Sequence, residues 1–158
     1  MNKISKSTLI LWLAICLWML IIFWFSAQPA DISATQSSKT SIFICKLLLP
    51  NFENWSAQQQ LSYTENFQWL IRKAAHFSEY TLLAALFMQA FKSPRITRHQ
   101  QQFYALLSTI LYAISDELHQ LFIPGRACQI QDILIDSSGA VLGIILITLF
   151  YQLVKKLK

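Results

Sequence analysis

The sequence predicts an all-α protein, a bundle of four transmembrane helices that forms a single domain over residues 1–158. Composition is the first observation: 54% of the residues are hydrophobic and only 13% are charged. The second is a set of four apolar runs, each near the about 20 residues that a helix needs to cross the hydrocarbon core of a bilayer. The runs cover approximately residues 9–27, 74–91, 103–122 and 133–154. A soluble protein with four such helices would keep little polar surface, so the composition favours a membrane protein.

The distribution of charge predicts how this bundle is oriented. The formal net charge is +5, but the cations flank helix ends instead of forming a patch suited to nucleic acid. If the four helices cross alternately, eight cations fall on one side and all eight acidic residues fall on the other. The positive-inside rule then puts both termini in the cytoplasm, where the basic ends meet anionic lipid head groups. The eight cations are Lys3, Lys6, Lys92, Arg95, Arg98, Lys155, Lys156 and Lys158.

The first run, residues 9–27, carries no formal charge and is followed by Pro29, which stops helix propagation. It is longer than the apolar region of about 7–15 residues in a signal peptide, and no clear small-x-small cleavage site follows it. The sequence therefore predicts a membrane anchor.

A polar outer segment, residues 30–65, separates the first and second crossings and is rich in Ser, Gln and Thr. Residues 40–49 are apolar enough to form a short interfacial helix that ends at Pro50. Ser56 and Gln59 fit a capping box, which predicts a helix that starts there and continues into the second crossing. Cys45 and Cys128 both fall on the outer side, where a disulfide between them is possible.

The second and third crossings each carry a group of polar residues near the outer end. His76, Glu79 and Tyr80 are three and four residues apart, so they share one helix face. Asp116, Glu117 and Gln120 lie within an arc of roughly 100° on the third crossing, with His119 at its edge. Glu79 precedes Lys92 by 13 residues and Asp116 follows Phe103 by 13. Both carboxylates are then about 20 Å above the cytoplasmic boundary, in the outer third of the bilayer core.

The fourth crossing has two carboxylates and two glycines on one face. Asp132, Asp136, Gly139 and Gly143 align to within about 60°. The glycines form a GxxxG pattern, which lets two membrane helices approach closely. We therefore expect this helix to pack tightly on a neighbour with its acidic side chains turned inward.

Charged groups at this depth are costly and usually mark a functional site. Partial burial near other carboxylates shifts the pKa of a carboxyl group, and a shifted pKa suits the acid and base groups that catalysis needs. An arginine side chain is suited to bind an anion such as a phosphate. The predicted catalytic residues are His76, Glu79, Asp116, Glu117 and Gln120. The predicted ligand-binding residues are Lys73, Tyr80, Arg126, Asp132 and Asp136.

The same groups fit two other interpretations. One is a purely structural polar network, in which carboxylates pair with Arg72, Lys73 or Arg126 and set the order of the helices. The other is a metal site of His76, Glu79, Asp116 and His119, whose mixed nitrogen and oxygen ligands would suit zinc or manganese. No HExxH or similar spacing supports it, so no metal is assigned, and the sequence identifies no cofactor.

Three motifs resemble one known family. RKAAHFSEY, SDELHQLFIPGR and QDILIDSSGAVLG occur in the order typical of the VanZ-like family of small bacterial membrane proteins. The family pattern is roughly R-K-x-x-H-F-x-E-Y, then D-E-x-x-Q-x-F-x-P-G-R, then D-x-x-x-N-x-x-G-x-x-x-G. Asp136 stands where the family often has Asn, which adds a negative charge. The resemblance implies a multi-pass protein of the bacterial cytoplasmic membrane, associated with tolerance to lipid-tailed glycopeptide antibiotics, but it supplies no reaction.

The expected function is to bind or act on an amphiphile with an anionic head, from a site that faces the outer side. A lipid-linked cell-wall intermediate and a lipoglycopeptide are the two candidate ligands, with membrane lipid as a partner and no nucleic acid. Two alternatives remain, a non-enzymatic structural or envelope-modifying protein and a proton-coupled transporter. The sequence predicts neither a reaction nor an oligomeric state.

Overall fold

The computed structural model describes residues 6–157, a range that contains five α-helices and no strand. Lys3 and Lys158, two of the predicted cytoplasmic cations, lie outside the described residues. A short 3₁₀ turn at Phe52–Asn54 separates the second helix from the third. The helices are α1 (Lys6–Ser26), α2 (Ala30–Leu48), α3 (Ala57–Ala90), α4 (Arg98–Gln120) and α5 (Ile130–Lys156).

Two of these helices, α1 and α5, are long and apolar enough to cross a membrane. The other two predicted crossings lie in α3 and α4, whose polar residues lower their mean hydropathy. The outer surface of the bundle is itself apolar over much of its area, since large side chains such as Trp24 (68% exposed) and Phe150 (56% exposed) face outward. An apolar surface of this extent is typical of a protein surrounded by lipid.

Contacts between α1 and α3 show that these two helices are antiparallel. The ring of Trp12 packs against that of Phe87 at 6.3 Å between centroids. Further along α1, the indole of Trp18 donates a hydrogen bond to the backbone carbonyl of Glu79 at 2.9 Å. A later residue of α1 thus contacts an earlier residue of α3, as expected for antiparallel helices.

Contacts between α1 and α4 show that these helices run in the same direction. The hydroxyl of Tyr112 donates to the carbonyl of Met19 at 2.6 Å, and the amide of Gln120 donates to the hydroxyl of Ser26 at 3.2 Å. Basic residues of the α3–α4 connection meet the C-terminal part of α5, where Lys92 and Arg98 lie over the ring of Tyr151. The start of α1, the end of α5 and this connection are thus at one end of the bundle.

Glycines set a very close approach between α3 and α5, which are parallel. A Cβ at Gly139 would overlap the backbone carbonyl of Phe77, and one at Gly143 would overlap the carbonyl of Thr81. The hydroxyl of Thr81 donates to the carbonyl of Gly139 at 3.0 Å. Because the glycines face the backbone of α3, the acidic residues one and two turns before them face the bundle interior.

The outer segment is more helical than the sequence indicates. The short helix predicted at residues 40–49 is the second half of α2, which starts ten residues earlier, at Ala30, and ends at Leu48. Its buried residues are Ser37, Ser41 and Cys45, small side chains spaced one turn apart that allow close packing on α3. Such a face has no apolar periodicity, and for this reason the helix boundary predicted from hydrophobic residues was wrong.

The capping box at the start of α3 is confirmed. Ser56 accepts a hydrogen bond from the amide of Gln59, and the Gln59 side chain accepts one from the amide of Ser56. From there α3 continues without a break for 34 residues. Cys45 and Cys128 are free thiols in the structure, so the possible bridge between them is not formed.

Candidate functional site

A cavity of about 270 Å³ lies beneath α2, bounded by α1, α3 and α4. Charged and polar side chains from three parts of the chain converge on it, and α2 adds a row of small polar residues. We call this space the large cavity. Its charged lining is formed by Arg72, His76, Glu79, Asp116 and Arg126, and α2 contributes Ser33, Gln36, Ser37 and Thr40.

Asp116 has the most unusual environment in the large cavity. Its side chain is 3% exposed, and Ser26, Tyr80 and Gln120 lie around the carboxylate. These three side chains are close enough to act as donors to the carboxylate, although neither carboxylate oxygen has a hydrogen bond of good geometry with any of residues 6–157. A buried carboxylate in such surroundings is a candidate functional group.

Two pairs of opposite polarity join α3 to α5 behind the cavity. The ammonium of Lys73 forms a buried ion pair with Asp132, and Nδ1 of His76 lies 3.5 Å from Oδ1 of Asp136. Lys73 and Asp132, predicted to bind ligand, therefore neutralise each other. Of the four residues, only His76 lines the large cavity.

Glu117 is completely buried but belongs to a different environment from Asp116. Its carboxylate accepts a hydrogen bond from the backbone amide of Gln129 at 2.8 Å, which ties the start of α5 to the end of α4. It is absent from the lining of the large cavity. This hydrogen bond joins α4 to the connection that leads into α5.

Arg126 and Gln120 connect the α4–α5 loop to the end of α1. Arg126 donates to the backbone carbonyls of Phe25 at 3.3 Å and Gln28 at 2.8 Å, and to the side-chain oxygen of Gln120 at 3.4 Å. A cation at the C-terminal end of a helix interacts favourably with the free carbonyls and the helix dipole. Arg126 thus holds the α4–α5 loop against the end of α1, and its side chain is also part of the lining of the large cavity.

A family model described as VanZ/LLP1 matches residues 11–151. The chain belongs to the VanZ/LLP1 family. No curated protein and no solved structure matches it. Membership, together with the two membrane-length apolar helices, fits a membrane protein. All charged residues that line the large cavity fall within the matched range.

Two groups of cavity residues in this VanZ/LLP1 protein were not predicted as site residues. Arg72 was considered only as a partner for a carboxylate, yet it lines the cavity and forms no ion pair with any described residue. The sequence feature that could have identified Arg72 is the Arg72-Lys73 pair, two adjacent cations near the polar residues of the second crossing. In the structure Lys73 is neutralised by Asp132, whereas Arg72 forms no ion pair with any described residue. The polar face of α2 was missed because serines and threonines one turn apart give no charge or hydrophobic signal.

The metal interpretation finds no support in the geometry. The described part of the chain contains no group of three or more His, Cys, Asp or Glu residues arranged to hold a metal ion. His119, a member of the proposed set, instead packs on the ring of Phe23 at 4.5 Å between centroids. It therefore faces α1 and is not among the residues that line the large cavity.

Proposed function

We propose that this VanZ/LLP1 protein crosses the bacterial cytoplasmic membrane four times and binds the anionic head group of an envelope amphiphile from the outer side. The observation that carries the proposal is the large cavity, whose lining combines the buried carboxylate of Asp116 with Arg72, a cation that forms no ion pair with any described residue. The family resemblance implies tolerance to lipid-tailed glycopeptides, and this tolerance would follow if the protein binds that amphiphile in the membrane.

The alternating directions of the helices support four crossings. Helices α1 and α4 run one way and α3 and α5 the other, and the basic residues of the α3–α4 connection lie beside the C-terminal part of α5. The polar residues that lower the hydropathy of α3 and α4 are buried in the bundle, among them His76, Asp116 and Gln120. Lipid would then contact mainly the apolar faces of these helices. By the positive-inside rule, the basic end is cytoplasmic and the cavity faces outward.

The size of the cavity favours one of the two candidate ligands. A volume of about 270 Å³ is just below the roughly 300–1,000 Å³ of pockets that enclose a drug-sized molecule. It therefore suits the head group of a lipid and is too small for an entire lipoglycopeptide. Phe25 and Ile71 line its apolar side, and Phe43 and Leu47 are exposed on the neighbouring face of α2. A lipid tail can leave along these side chains.

Lipid capture tests this proposal. The protein is extracted from bacterial membranes in mild detergent, and its co-purifying lipids are compared with the bulk membrane by mass spectrometry. We expect one class of anionic amphiphile to be enriched several-fold with wild-type protein. Gln36→Trp should remove that enrichment because Gln36 lines the large cavity at an exposed position, and a bulky ring there fills the space.

The control for this experiment is Thr35→Trp, which adds the same ring at an adjacent exposed residue that does not line the cavity. Enrichment should survive in this variant. A lipid composition equal to the bulk membrane in wild-type protein, or equal enrichment in both tryptophan variants, would argue against ligand binding in the large cavity.

A further inference from the structure

A second, smaller cavity of about 130 Å³ lies beside the large one, between α3, the start of α5 and the α4–α5 loop. Arg72, His76 and Arg126 line both spaces and so form their common wall. We call this space the small cavity. A ligand that passes between these three side chains would occupy both cavities at once.

The two cavities differ in charge. The large cavity has Glu79 and Asp116 to balance the two arginines. The charged residues that line the small cavity are Arg72, Lys73, Arg126, Asp132 and, when protonated, His76, and Lys73 and Asp132 neutralise each other. The two guanidinium groups form no ion pair in this cavity, although Asp116, Glu117 and Asp132 lie near enough to act on Arg126 electrostatically.

Neither arginine obtains an anionic partner within residues 6–157. The Nε of Arg72 is buried and has no hydrogen-bond partner, whereas Arg126 uses three of its N–H groups on neutral oxygens. Burial lowers the pKa of the Arg126 guanidinium, the positive charge of Arg72 nearby lowers it further, and the negative charges of Asp116, Glu117 and Asp132 oppose part of this effect. An arginine has five N–H donors and stays protonated in proteins, so two close cations keep unused donors.

The N-terminus of α2 adds to the positive potential of the small cavity. Helix α2 starts at Ala30, which lines this space, and no side chain caps its first amides. The amide of Ala30 itself donates to the carbonyl of Pro124 at 3.2 Å, which holds the helix end against the loop. The free amides and dipole of a helix N-terminus favour an anion, and the exposed carboxylate of Asp31 in the same turn offsets part of this potential.

From these observations we infer that the small cavity is a phosphate subsite, in which Arg72 and Arg126 bind a terminal phosphate group. The inference rests on the proposed function and deepens it, because it makes the amphiphile a lipid phosphate whose chain leaves through the large cavity. The volume of 130 Å³ is roughly four times that of a water molecule in the liquid. This is room for a phosphate group. Arginine forks match phosphate oxygens with two parallel hydrogen bonds.

The test uses the full chain in nanodiscs of phosphatidylcholine and three probes: a long-chain polyprenyl monophosphate, the parent polyprenol and inorganic phosphate. The midpoint of thermal unfolding is measured against probe concentration to obtain apparent affinities. We expect the lipid phosphate to bind wild-type protein, and Arg72→Gln to weaken it at least tenfold, since a hydrogen bond to a charged group contributes about 1.5–3 kcal/mol. Arg95→Gln, an exposed arginine in the α3–α4 connection, should bind like wild type.

Arg72 has no ion partner to lose, so Arg72→Gln should unfold near the wild-type midpoint without probe. If Arg72→Gln does not fold, Arg72→Lys serves instead. Lysine keeps the positive charge but cannot form two parallel hydrogen bonds to a phosphate, so the affinity for the lipid phosphate should fall by a smaller factor. Equal affinity for the polyprenol and its phosphate, or wild-type affinity in both Arg72 variants, would overturn the subsite. Inorganic phosphate that binds as tightly as the lipid phosphate, and loses affinity in Arg72→Gln, would support the subsite and make a free anion its ligand.

The two proposals can fail separately. An amphiphile without phosphate in the capture experiment would leave the proposed function standing and refute the subsite. Binding of inorganic phosphate through Arg72, without capture of any amphiphile, would support the subsite and refute the proposed function.

Discussion

Asp116→Asn should abolish the tolerance to a lipid-tailed glycopeptide that we propose for this protein, while the amount of folded protein in the membrane stays unchanged. The amide preserves the volume and most hydrogen-bonding capacity of the carboxylate, but it cannot hold a charge or exchange a proton. Asp116 forms no ion pair with any described residue, and an amide can still exchange hydrogen bonds with Ser26, Tyr80 and Gln120 around it, so the substitution removes no charged partner. Glu79→Gln, in the wall of the same cavity, should have the same effect.

The measurements are the inhibitory concentration of the antibiotic in cells that express each variant and the quantity of protein in their membranes. Asp132→Asn is the matched control, since it makes the same chemical change in a carboxylate that is paired with Lys73. Removing one partner of a buried ion pair destabilises a protein by about 3–5 kcal/mol, so this variant should be lost from the membrane. An Asp116→Asn protein that is both abundant and fully active would exclude Asp116 from function.

Gly143→Leu should destabilise the bundle strongly without preventing its insertion into the membrane. Even a Cβ at this position would overlap the backbone carbonyl of Thr81, so α5 must move away from α3. Overpacking a well-packed interior costs about 1–3 kcal/mol, and more when a backbone atom is in the way. The change can be measured as a lower midpoint of thermal unfolding in detergent. The displacement should also separate His76 from Asp136, one of the pairs behind the large cavity.

Ser138→Leu is the control for this effect, because Ser138 is on the exposed face of the same helix and faces lipid in the proposed orientation. Its unfolding midpoint should remain near that of wild type. Equal midpoints for Gly143→Leu, Gly139→Leu and wild type would mean that this face of α5 does not pack on α3.

The helices were largely predictable from the sequence, because their signals are local. The four apolar runs coincide closely with parts of α1, α3, α4 and α5, and the capping box at Ser56 marks the start of α3 well before the apolar run that begins at residue 74. The equal depth predicted for Glu79 and Asp116 was also a local inference, because it counts residues along single helices. Both residues line the large cavity. Helix α2 was underestimated because its packing face consists of small residues.

The pairing of charges was not predictable, since it depends on how the helices pack. Lys73 could have paired with any of several carboxylates, and the parallel contact of α3 and α5 at the glycines selects Asp132. Arg72, one residue earlier, lies on the common wall of the two cavities and forms no ion pair with any described residue. Which of two adjacent cations is available for a ligand is therefore a property of the tertiary structure.

The proposed orientation puts the polar cavity on the outside of the cell, and labelling of single cysteines by a membrane-impermeant maleimide measures this orientation. Cys16, Cys45 and Cys128 are first replaced by alanine, and one cysteine is then introduced at Gln36, beside the cavity, or at Arg95, in the α3–α4 connection. Both positions are exposed. Whole cells should label Gln36→Cys, whereas Arg95→Cys should react only after the membrane is permeabilised. Labelling of Arg95→Cys in whole cells, with Gln36→Cys protected, would contradict the proposed orientation, because the cavity would then face the cytoplasm.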